Sequence, residues 1–197
     1  LAAEMAIHLG SAERRHLDAE GLSPAVRARD LWSRGHLSAA LSALEAAPGS
    51  GALRARLRSQ LAMMSPGFHL PRLSPSPGWT VPDPGEPLRV LHLLTSSLPH
   101  TQSGYTVRSH ALLQAQCDAG IDVRAVTRIG YPVIIGRPAA QATDVVDAVT
   151  YRRLLPARTQ AAPIARLTQM SRLLAREVEA FRPHVLHTTT NYVNALV

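Results

Sequence analysis

The sequence has no lysine: all 21 of its basic residues are arginine. Its single cysteine, Cys117, excludes both a disulfide framework and a cysteine metal cluster, and a reducing cytoplasm fits such a chain best. Aromatic residues make up only 4%, and no basic run is interleaved with them, so a base-stacking surface for nucleic acid is not expected. Apolar runs such as residues 90–94 and 133–135 fall far short of the ~20 residues that cross a bilayer. Charged residues are only 18%, but with 46% hydrophobic residues the chain is too apolar to stay disordered.

What charge there is lies unevenly. Residues 1–87 carry 9 arginines against 8 acids, or +1, whereas residues 88–197 carry 12 against 6, or +6. A positive field of that kind favours phosphate-bearing ligands or anionic lipid headgroups, and the inner face of a membrane is an expected place of peripheral contact. The chain opens on Leu1 and stops at Val197 inside an apolar pattern, so both ends are expected to be cuts in a longer protein.

Three segments of different character follow one another. Residues 1–64 read as a helical extension. Val26, Leu31 and Trp32 precede a break at Gly35, and Leu37, Ala40, Leu41 and Leu44 then recur at helical spacing up to Pro48-Gly49. This hairpin resembles the latter part of a tetratricopeptide repeat, a module that would take a protein partner, or else it packs on the main domain. A third helix is expected over residues 52–64, with Leu53, Leu57, Leu61 and Met64 on one face and Arg54, Arg56 and Arg58 on a solvated one. Residues 65–87 hold seven prolines and read as a linker, with Trp79 available to pin it.

From residue 88 onward strands and helices alternate. Residues 88–95 form an apolar run suited to a parallel strand buried on both faces. A helix is expected over 105–119 with Gly120 as its left-handed cap, and a strand over 121–127. A mobile stretch over 128–141 precedes strands at 149–155 and 184–188, which flank a helix over 164–181. The fold class is therefore α/β: the first half of a doubly wound, Rossmann-like parallel sheet, preceded by an α-helical extension. Ligands of such sheets sit beyond the carboxyl ends of the strands.

The loop over residues 96–104 follows the first strand and opens a helix. Backbone N–H groups at a helix start carry partial positive charge, and a glycine lets a diphosphate approach, which makes Gly104 the candidate phosphate residue; the alternative is that Gly104 only permits the turn. A dehydrogenase reading needs G-x-G-x-x-G at this turn and an acid after the second strand. The loop has one glycine, and the strand ends Val126-Thr127-Arg128. Arg128 either faces a phosphate or is a solvated loop residue. His92, inside a strand, reads as structural, and Cys117 as a small packing residue.

The segments RVLHLLTSSLPHTQSGYTVRSHALL, AGIDVRAVTRIGYP and FRPHVLHTTTNYVNALV together resemble the acceptor-side domain of family 4 glycosyltransferases of the GT-B fold, over roughly residues 88–197. The resemblance implies a nucleotide-diphosphate-sugar donor, transfer with retention of configuration and no metal. It also implies a carbohydrate or lipid-linked acceptor. The family's glycine loop maps onto Ser103, Gly104 and Tyr105 at the donor diphosphate. His187 matches the first position of the family's His-x-His, and Thr189 replaces the second histidine beside the donor sugar. His100, His110 and Asn191 are the acceptor-side candidates, and Asn191 and Asn194 alternatively serve as a cap and a first-turn residue. The family's paired glutamates and basic diphosphate pair belong to a second domain that this chain does not contain. The reading from another class is a non-catalytic interaction module whose α/β half is a scaffold.

Overall fold

A computed structural model describes residues 22–45, 47–71, 83–189 and 192–197. The start of the helical extension, residues 72–82 of the expected linker with Trp79, and Asn191 lie outside the described residues. Two compact units divide the chain: one runs to His69 and includes Ala162–Ile164, and the other comprises Leu70–Ala161 and Ala165–Val197.

The first unit holds three helices: α1 (Pro24–Ser33), α2 (Leu37–Ser42) and α3 (Gly51–Met63). Pro24 opens α1, where its missing N–H has no intrahelical partner to lose. Gly35, with φ of 85°, supplies the left-handed residue that turns the chain into α2. Ala28, Ala40, Leu44, Ala47 and Leu57 form a small buried core. The expected solvated arginine face is only partly so. Arg54 is half-buried and its Nη2 donates to the carbonyls of Leu44 (2.7 Å) and Ala47 (3.1 Å), closing the end of α2. Arg56 lies 4.8 Å from the Trp32 ring centroid. Met64, expected on the apolar face, is instead exposed.

The second unit is α/β, compatible with a Rossmann-like fold. Its elements are β1 (Arg89–Leu94), α4 (Gly104–Asp118), β2 (Asp122–Thr127), a 3-10 turn (Val133–Ile135), β3 (Thr143–Val146), β4 (Val149–Arg153), α5 (Pro163–Phe181), β5 (Val185–Thr188) and α6 (Tyr192–Ala195). The strands stand in the order β3-β4-β2-β1-β5, and β4, β2, β1 and β5 are parallel. β1 is central and buried along nearly its whole length, as a strand covered on both faces must be. Leu91 and Leu93 face α5, whose Met170, Leu174 and Phe181 complete one core. Leu94 faces the other way, with Leu113 of α4, Ala125 and Tyr151. Gly120 ends α4 in the left-handed conformation expected of it, with φ of 78°.

The sheet departs from the sequence expectation in two places. It is mixed, because β3 pairs antiparallel with β4 and was not anticipated. Asp147 and Ala148, with φ of 45° and 65°, form the two-residue turn of this hairpin, and such turns are ordinarily marked by Asn-Gly or Asp-Gly. No glycine stands here, so the hairpin carried no signal. The stretch over 128–141 is also more than a mobile connection, since Ile129 and Tyr131 are buried in it.

Candidate functional site

The chain leaves β1 at Thr95, and the next eight residues run beyond the carboxyl ends of the parallel strands before α4 begins. Ser103 caps that helix. Its Oγ accepts from the Thr106 N–H at 3.3 Å, and Thr106 Oγ1 accepts from the Ser103 N–H at 2.9 Å, a reciprocal box that fixes the entry to the helix. The Ser103 hydroxyl is thus occupied in shaping the site. Gly104 is the first helical residue and is exposed. Its φ is not left-handed, and a Cβ built on it meets no atom within 4 Å. The turn therefore does not require glycine at this position, and the first-turn N–H groups have no intrahelical acceptor.

Next to this helix start, Tyr105 reaches back to the strand ends. Its hydroxyl accepts from the Thr95 N–H at 3.2 Å and lies 3.2 Å from Thr189 Oγ1. Asn194 in α6 donates from Nδ2 to Thr95 Oγ1 at 3.1 Å. Gly104 and Tyr105 are thereby brought together with Thr189, 84 residues after Tyr105, at the ends of β1 and β5. Asn194 is engaged in tying α6 to β1. One strand pair inward, His187 faces His92 across β1 and β5 with ring centroids 4.5 Å apart. His92 is buried and its Nε2 lies 2.7 Å from Gln116 Oε1. Burial lowers its pKa to about 4, helped by the neighbouring His187, while the Gln116 bond opposes the shift. His92 is therefore neutral at pH 7.

A second polar cluster holds the same loop from the β4 side. Arg153 ends β4 with its side chain fully buried. Its Nε donates to Asp144 Oδ2 at 2.7 Å, Nη1 to Ser97 Oγ at 2.6 Å, and Nη2 to the Leu98 carbonyl at 2.9 Å. The guanidinium carbon stands 5.4 Å from the ring centroids of both Tyr131 and Tyr151. Tyr131 donates from its hydroxyl to the Ser97 carbonyl at 2.7 Å and lies 2.8 Å from Thr101 Oγ1. His100 joins through Nε2, 3.0 Å from Asp144 Oδ2. His100 is thus half-buried in the fastening of the loop, with Nδ1 as its remaining polar atom.

His110 does not belong to this region. It is buried under α4, with Nδ1 2.7 Å from the Tyr151 hydroxyl and Nε2 3.0 Å from Asp147 Oδ2. Asp147 lies at the amino end of β4, opposite the strand ends where Tyr105 and Thr189 meet. Both ring nitrogens are engaged within the fold, as the alternative reading of His110 as a hydrogen-bonded packing residue expects. Burial of Tyr151 in the same contact pushes its pKa up to about 12. Burial likewise raises the pKa of the Cys117 thiol, with Asp118 and Asp122 adding to it, so the thiol carries no sign of activation.

Arg128 follows β2 and is half-buried, and its Nε is shielded from solvent without a hydrogen-bond partner among the described residues. It is not the fully solvated residue that one sequence reading made of it. The sequence reading missed Arg153, Asp144 and Tyr131 altogether. Period-two alternation through Val149, Tyr151 and Arg153 was the available signal, since it places an arginine on an inward position. Among the described residues, no group of three or more His, Cys, Asp or Glu side chains is placed to hold a metal ion. No helix among them is long and apolar enough to cross a membrane. No protein-family model, curated protein or solved structure matches the chain.

Proposed function

We propose that this chain carries the acceptor-side half of a retaining glycosyltransferase that uses a nucleotide-diphosphate sugar. The observation that supports the reading most is the open start of α4. Gly104 has unoccupied space where a side chain would stand, at the carboxyl ends of parallel strands, with Tyr105 and Thr189 meeting beside it. First-turn N–H groups and the helix dipole suit a departing diphosphate, and the hydroxyls of Tyr105 and Thr189 suit sugar hydroxyls. The half-buried Arg128 after β2 adds positive charge for the same anion. In this reading His187, its ring tilted against that of a neutral His92, orients the strand end that presents Thr189. His100 keeps an acceptor-side role through Nδ1. Asn191 falls outside the described residues, and its acceptor role rests on the resemblance alone.

The finer description of the fold as a GT-B amino-terminal domain belongs to this proposal, as do a carbohydrate or lipid-linked acceptor and a cytoplasmic location. The donor base and sugar would be read by a second domain, so the 197 residues alone are expected to transfer no sugar. The test is Gly104→Val in the intact enzyme, with transfer rate and melting temperature measured on one preparation. Loss of transfer from a normally folded protein supports the reading, whereas normal transfer removes Gly104 from the site. A second reading, an interaction module of tetratricopeptide-like character, draws on the separate small core of α1, α2 and α3. Sugar transfer that persists after residues 1–64 are removed would count against that module as the chain's main role.

A further inference from the structure

The stretch that follows β2 builds a rigid turn with an apolar tip. Gly130 and Gly136, with φ of 78° and 84°, bracket Tyr131 and Pro132, which are buried, and the 3-10 turn Val133–Ile135, which is not. The Ile134 N–H donates to the Gly130 carbonyl at 3.0 Å, and the Gly136 N–H to the Val133 carbonyl at 3.0 Å. At Gly130 a Cβ would stand 2.9 Å from Ile134 Cγ2, so the turn closes tightly on its own base. The result is that Val133, Ile134 and Ile135 are 43%, 53% and 43% exposed on a segment that is held, not loose.

We propose that this tip, with Arg137 beside it, docks on an anionic lipid surface. Charge supports that occupant. No acid stands in the sequence between Asp122 and Asp144, while Arg137 stands beside the tip. Asp144 itself is paired with the Arg153 guanidinium. Arg137 is exposed and makes no ion pair among the described residues. Three aliphatic side chains fall far below the roughly 800 Å² per partner of a specific protein interface, and they include no aromatic anchor. A lipid boundary demands neither area nor shape. It does ask for two signals together, a shallow apolar insertion and a basic neighbour for headgroup phosphate, and the turn supplies both. The inference uses no residue of the transferase site and stands independently of it.

The experiment is co-sedimentation of the full 197-residue chain with vesicles of phosphatidylcholine, alone or with phosphatidylglycerol. Binding is expected to the anionic vesicles only, to weaken at about 0.5 M salt, and to fall ~tenfold or more in a Val133→Ser, Ile134→Ser, Ile135→Ser variant. Arg137→Ala should lower it less. Should the triple variant lose its cooperative melting, Ile134→Ser alone, at the most exposed position, takes its place. Equal binding to neutral vesicles, or binding that the serine variants leave intact, overturns the proposal. So does self-association that the serine variants abolish while vesicles remain unbound, because the tip would then pair with a second copy.

Discussion

Two polar clusters meet the loop after β1, and they differ in what they leave open. On the β4 side, Arg153 spends its donors on Asp144, Ser97 and Leu98 while two tyrosine rings close over it. On the β5 side, Tyr105, Thr95 and Thr189 share hydroxyl contacts of 3.2 Å beside a helix start that faces open space. A saturated, buried cluster cannot bind anything further; it fixes a backbone. A helix start with open space before it, at the same strand ends, can take a ligand. The comparison assigns Arg153 to architecture, and on the proposed reading it leaves the helix start at Gly104 for recognition.

Removing Arg153 is expected to have the largest effect. Arg153→Met keeps much of the volume but leaves the half-buried Asp144 without its guanidinium, and breaking a buried pair from one side costs about 3–5 kcal/mol. Chemical denaturation should show a loss of that size. A near-neutral result would mean that the loop is held by Tyr131 alone. Gly104→Val breaks the comparison from the other end. Its backbone is helical and its surroundings empty, so the melting temperature should stay within a few degrees, while, if the proposed transferase reading holds, sugar transfer falls roughly a hundredfold as a contact to the leaving diphosphate is lost. If the stability changes and the transfer does not, the open cluster is no site.

How much of this was readable in advance follows from where the physical signals lie. The run over residues 88–95 and the glycine at 120 specify β1 and the end of α4 because burial on both faces and a left-handed cap each leave a mark on one short segment. The α/β alternation followed from such marks. Gly104 could be singled out because a helix start is local, whereas Tyr105 and Thr189 were named only through the family resemblance. That Tyr105 and Thr189 touch is a contact across 84 residues, which no local pattern encodes. The closed cluster was missed for a related reason. Arg153 and Asp144 are adjacent only because β3 folds back on β4, and that hairpin turns on Asp147-Ala148 without the glycine that announces such turns. Which end of the sheet His110 faces is likewise something a helix position alone does not encode.

A smaller effect concerns the pair behind the open cluster. His92 in the folded chain takes its proton at about 4, against 6.5 for an ordinary histidine. Between those values the unfolded chain binds more protons than the folded one. Stability is therefore complete above about pH 6.5 and declines as pH falls toward 4, by ~2–3 kcal/mol across the window. His92→Gln, which keeps a polar group but cannot titrate, should flatten that slope when unfolding free energies are measured from pH 4 to 7. An unchanged slope would move the titration elsewhere and free His92 to share protons with His187.

The smallest effect sharpens the contrast by strengthening one cluster only. Ala148 holds φ of 65°, a left-handed conformation in which its Cβ crowds the following carbonyl, and it is exposed, so nothing is lost with the methyl group. Glycine adopts that conformation without the penalty, although it gains freedom in the unfolded chain, and the two leave a net gain of ~0.5–1 kcal/mol for Ala148→Gly. The gain falls on the hairpin that carries Asp144 to Arg153, on the closed side. Urea denaturation should therefore shift to a higher midpoint with its slope unchanged, while the proposed sugar transfer stays at its original rate. A variant that melts later but transfers more slowly would show that the hairpin's rigidity reaches the open cluster, and the two clusters would then have to be treated as one site.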